Sequence, residues 1–120
     1  MPPRRRASPE PETLEQRWLL EAQTARNLEA LEAEQAGRLE EAIALYERNV
    51  HEGFPGDLPY GRLVAIYERR SQLEAATRVL RRAIEVFERS SRRTPAERRA
   101  TIRVFQNRLK LLSRRQRAEG

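Results

Sequence analysis

Ala42-Ile43-Ala44-Leu45-Tyr46-Glu47-Arg48-Asn49-Val50 and Ala76-Thr77-Arg78-Val79-Leu80-Arg81-Arg82-Ala83-Ile84 stand 34 positions apart and carry one pattern. A small residue opens each stretch, a large one follows four places on, then Arg two places later, then an aliphatic after two more. Both stretches read as helices. A helix, a short turn and a second helix at this period are the mark of stacked helix pairs. The pattern has a packing reason: a small residue lets a neighbouring helix come close, and a large residue one turn on fills the groove so formed.

Working outward from these stretches, the chain reads as five helices at about 12–36, 38–52, 58–70, 72–90 and 95–117, forming one domain over 12–117. No stretch alternates apolar and polar residues with period two, so the expected class is all-α. The first helix is rich in strong helix formers. Leu14, Trp18, Ala22, Ala25 and Leu28 recur on one of its faces, and Gly37 stops it. That stripe is expected to point inward, with Trp18 as a core anchor; the other reading makes Trp18 an exposed partner contact. Leu39, Ala42, Ile43, Tyr46 and Val50 form the inner face of the second helix, and Gly53-Phe54-Pro55-Gly56-Asp57 breaks the chain. Tyr60, Leu63, Val64 and Tyr67 face inward from the third, with Pro59 in its first turn. Ser71 with Glu74 is expected to form a capping box opening the fourth helix, whose inner face is Ala76, Leu80, Ala83, Ile84 and Phe87. A second box, Thr94 with Glu97, opens the fifth, buried through Ile102, Phe105, Leu109 and Leu112. Residues 1–11, with four prolines and few apolar side chains, are expected to be disordered. Arg5-Arg6-Ala7-Ser8 within them has the form of a basophilic kinase site, a short and common pattern.

These elements resemble the tetratricopeptide family over residues 37–90. Tyr60, Leu63 and Tyr67 sit where the family places large residues of its first helix. Ala76, Leu80 and Ala83 take the small, large and small positions of its second. The run Pro59-Tyr60-Gly61-Arg62-Leu63-Val64-Ala65-Ile66-Tyr67 is similar to that of small bacterial modules of this kind. Departures are Val64 in place of Gly or Ala, Arg26 and Ala33 where aromatics are usual, and Pro55 one place late. The resemblance implies a solenoid of about two repeats, residues 23–56 and 57–90, with the first and fifth helices capping its ends. It also implies a partner-binding groove lined by Asn27, Leu31 and Glu34 from the first helix and Gly61, Ala65, Glu68 and Arg69 from the third. Small Gly61 and Ala65, one turn apart, would leave room there for a peptide; Gly61 could equally serve only close packing. The Lys and Asn set by which some family members clamp a peptide carboxylate is not evident.

Composition narrows the function. No cysteine is present, which removes disulfides, thiolate metal sites and Cys nucleophiles and fits a cytoplasmic protein. No apolar run is long enough to span a membrane, and the N-terminal arginines lack the apolar core of a secretory signal. His51, the only histidine, lies at a predicted helix C-terminus, where its charged form can answer the dipole. Phosphate loops, nucleophile motifs and metal-ligand clusters are missing. The expected protein is therefore a non-catalytic scaffold or adaptor with no cofactor.

Charge is divided along the chain. Residues 1–60 hold 7 basic and 12 acidic side chains, whereas 61–120 hold 17 and 6. Among the cations Lys110 is the only lysine, so the arginine excess reads either as codon bias or as a basic surface. Arg99, Arg103, Lys110, Arg114 and Arg117 project to one side of the fifth helix at about 100° per residue, away from its apolar stripe. Arg92 and Arg93 precede them. This surface is a candidate for an acidic protein partner, for nucleic acid bound without base stacking, or for the acidic half of a second copy.

Overall fold

The computed structural model describes residues 12–119. The expected disorder of 1–11, and the Arg5–Ser8 pattern, lie outside the described residues. Among those described the chain is all-helical: α1 Leu14–Gln35, α2 Leu39–Glu52, α3 Leu58–Arg69, α4 Leu73–Glu88 and α5 Pro95–Glu119. Each helix packs on the next in chain order, and the molecule measures 61 × 32 × 17 Å. In so thin a body most helices keep one flank in water, and that decides which apolar residues stay exposed.

Ala42 and Ala76, the small residues of the two related stretches, have no exposed surface, nor do Tyr46 and Leu80 one turn on. Ala30 and Ala33 of α1 are equally enclosed and let α2 lie close. The second half of the core is aromatic. Phe87 of α4 stacks on Phe105 of α5, with centroids 5.6 Å apart, while Tyr60 of α3 meets both rings edge-on. The Arg93 guanidinium covers Phe87 at 4.8 Å from its centroid.

The turns repeat as well. After α1, Gly37 is left-handed at φ 79°; its N–H donates to Glu34 O, and that of Arg38 to Ala33 O. After α3, Ser71 is left-handed at φ 56°; its N–H donates to Glu68 O, and that of Gln72 to Tyr67 O, repeating both bonds. Arg38 and Gln72 then have almost the same backbone angles, φ −85° and ψ 69° against φ −90° and ψ 68°. Ser71 therefore ends α3 and does not cap α4 as expected; Gln72 holds the cap position, with no side-chain cap bond. The left-handed turn brings the chain round before the hydroxyl can reach the next helix, and that hydroxyl instead accepts from Arg115. Ser71→Gly should raise stability by about 0.5–1 kcal/mol, read from the urea midpoint, because a side chain is strained at positive φ. The Thr94–Glu97 box forms as expected, Glu97 N–H donating to Thr94 Oγ1 at 3.2 Å and Thr94 N–H to Glu97 Oε2 at 3.0 Å.

The α1 stripe is reversed relative to expectation. Leu14 and Trp18 are 61% exposed and Leu28 is 58% exposed, while Gln23, Asn27, Ala30 and Ala33 face α2. The cause lies in α2. Asn49 and Glu52 sit in its inner wall and require polar partners, because a buried amide or carboxylate left unpaired is costly. Asn49 Nδ2 donates to Asn27 Oδ1 at 2.7 Å and to Gln23 O at 2.8 Å; Arg26 Nη1 donates to Asn49 Oδ1 at 2.5 Å and to Glu52 Oε1 at 2.9 Å. A Trp18-led face could meet none of these needs.

Candidate functional site

The residues named for a groove differ in burial and in partners. Asn27 is buried and bonded to Asn49. Glu34 accepts from Tyr46 Oη at 3.0 Å and from Arg62 Nε at 3.1 Å, closing α1 and α2 onto α3. Arg62 Nη2 also contacts Glu34, and Arg69 stands 4.0 Å from it, exposed. Leu31 and Ala65 are half-buried. Glu68 faces α5, where Arg108 pairs with it at 3.5 Å. The Arg62 hydrogen bond holds the Glu34 carboxyl below its ordinary pKa of 4.5, and burial together with Glu34 raises that of Tyr46. Glu34 is thus a strut.

The open space lies one helix further along, between α3 and α5. A cleft of about 460 Å³ is lined by Leu58, Gly61 and Arg62 of α3 and by Val104, Phe105 and Arg108 of α5, with Asp57 and Thr101 at its end. Gly61 belongs to it as expected: a Cβ built there would meet nothing within 4 Å. Leu58 is 38% exposed and Val104 58% exposed, so the cleft has apolar walls in contact with water. Both arginines at its rim are anchored, Arg62 on Glu34 and Arg108 on Glu68. Sequence reading missed Leu58 and Val104. The available signal was that Val104 is an aliphatic off the Ile102–Phe105–Leu109–Leu112 stripe. A second cleft, of about 880 Å³, lies under the first turns of α1, with Leu19, Leu20, Pro55 and Val86 among many charged groups.

Comparison with family models, with curated proteins and with solved structures finds no match. The chemistry of the surface therefore has to be read from its own residues.

Of the basic residues named, Arg92 and Arg93 are engaged inside the molecule. Arg92 contacts Glu12; Arg93 lies 3.6 Å from Asp57 and donates to Thr101 Oγ1 at 2.9 Å. Arg99, Arg103, Lys110, Arg114 and Arg117 are exposed on the outer side of α5, and none of them forms an ion pair among the described residues. Arginines elsewhere are mostly tied: Arg26 to Glu52, Arg70 to Glu40, Arg78 to Glu47. Arg82 donates to the Val50 and His51 carbonyls and so closes the C-terminal end of α2. Among the described residues no cluster of His, Asp or Glu could hold a metal ion, and no helix is long and apolar enough to cross a membrane.

Proposed function

We propose that this chain is a non-catalytic protein-binding module, of the tetratricopeptide-like kind, that takes a short peptide in the cleft between α3 and α5. The observation that carries this reading is the open, apolar-walled cleft at Gly61, with Leu58 and Val104 facing water and nothing occupying the space over the glycine. Such a cleft suits one or two aliphatic side chains of an extended or helical peptide. The anchored guanidiniums of Arg62 and Arg108 at the rim favour acidic residues beside them. Because each arginine already has a carboxylate partner, they favour selectivity more than affinity.

Gly61 gives a clean test, since one position separates stability from binding. Gly61→Ala should raise stability by about 0.5–1 kcal/mol, because alanine is the better helix former and finds open space. Gly61→Trp should fill the cleft and leave helicity unchanged. Peptides selected from a random display library against the native chain are expected to bind the Ala variant and to lose at least tenfold affinity for the Trp variant. Selected peptides that bind the Trp variant equally well would exclude the cleft.

A further inference from the structure

We propose that copies of this chain associate end to end, the outward face of α1 in one copy docking on the outward face of α5 in the next. The proposal is independent of the peptide cleft. It rests on which charges the fold leaves over. Most carboxylates of the described chain have an arginine partner: Glu34, Glu40, Glu41, Glu47, Glu52 and Glu68 are all paired. Seven exposed carboxylates among the described residues have none: Glu74 and Glu88 of α4, Glu97 of α5, and the largest group, Glu15, Glu21, Glu29 and Glu32, on α1. Those on α1 flank Leu14, Trp18 and Leu28, the large apolar side chains that α1 turns away from the core. The largest group of unpaired cations lies on α5, at the other end of the row of helices.

The two faces fit in length as well as in sign. From Leu14 to Glu32, and from Arg99 to Arg117, each runs 18 positions, or about 27 Å of helix. The α5 face offers arginine stems on which an indole and leucines can lie, guanidiniums able to stack on Trp18, and exposed Leu111 at its edge. A basic face with no aromatic side chain suits a complementary acidic helix better than unstacked bases. Within one copy the faces cannot meet, since α1 and α5 pack on different neighbours. Two unlike patches on one molecule give a head-to-tail contact, which propagates unless its rotation closes a ring. The apposed helices cover a small area, so the association is weak and transient.

Trp18 is the only tryptophan, so its emission reports burial of this face. Sedimentation velocity from about 5 to 500 µM should show the mass rising with concentration near 0.02 M salt and returning to 14.0 kDa near 1 M. Trp18 emission should move to shorter wavelength in step. A variant with Glu21, Glu29 and Glu32 changed to Arg has two basic ends, and one with Arg99, Arg103, Lys110 and Arg114 changed to Glu has two acidic ends. Each alone should stay monomeric, and a mixture of the two should associate again. A native chain that remains monomeric with solvent-exposed Trp18 emission at every concentration would overturn the proposal. So would monomers whose Trp18 is already buried, association indifferent to salt, failure of folded variants to assemble on mixing, or monomers that shift a DNA duplex at low salt.

Discussion

Phe87→Ala is expected to lower stability by about 3–5 kcal/mol, the range for emptying a large aromatic site in a core. A chain of this size has roughly 5–15 kcal/mol in all, so the loss could consume most of the margin. Phe87 has no exposed surface, stacks on Phe105, receives the edge of Tyr60 and lies under Arg93. It is the point where α3, α4 and α5 meet. Relaxation cannot close the hole, because Tyr60 is fixed by its hydroxyl, which donates to Phe54 O at 2.8 Å. Phe87→Leu should cost less, about 1–2 kcal/mol, since much of the volume remains. Urea unfolding followed by circular dichroism measures both. Phe105 also lines the cleft between α3 and α5, so if that cleft takes a peptide as proposed, the Ala variant should lose peptide binding before it loses its helices.

Glu34→Ala is expected to cost about 2–3 kcal/mol, the range for a charge-assisted hydrogen bond whose partners stay partly buried. It would leave the Tyr46 hydroxyl without its acceptor and Arg62 without its anchor, loosening α1 and α2 from α3. The same carboxylate sets an acid limit. Hydrogen bonds from Arg62 hold Glu34, and from Arg26 hold Glu52, below the ordinary value of 4.5. In the unfolded chain both return to that value. Their contribution is therefore complete above pH 4.5 and is lost as pH falls through the lower folded values. The alkaline side mirrors this. Burial raises Tyr46, Tyr60 and Tyr67 above 10, so stability declines as pH rises past 10, where only the unfolded chain ionises. Unfolding midpoints across pH should show both shoulders, and Glu34→Gln should reduce the acid slope.

The helices and their order were legible in the sequence because length, breakers and periodic apolar residues all agree there. The 34-residue spacing located Ala42, Ala76, Tyr46 and Leu80 correctly in the core, since a small residue followed by a large one is itself a packing instruction. The face of α1 was not legible. Its apolar stripe has helical spacing, and so does its polar one; only the needs of Asn49 and Glu52, 22 to 29 positions away, decide between them. The misplacement of Ser71 had a similar origin. A serine followed by a glutamate three places on satisfies the capping pattern, yet the position takes the left-handed role that Gly37 plays 34 residues earlier. At the cleft, Gly61 was identified as a small residue on a helix face. Its partners Leu58 and Val104 were missed because which helix stands opposite is a property of the packing, and the other wall of the cleft comes from α5, not α1.

Amide chemical-shift mapping of the native chain with a library-selected peptide tests the central claim most directly. The account predicts shifts at Leu58, Gly61, Thr101, Val104, Phe105 and Arg108, saturating together and absent from Gly61→Trp. Shifts confined to α1 and α2, or spread evenly over the chain with no change in the Trp variant, would contradict it.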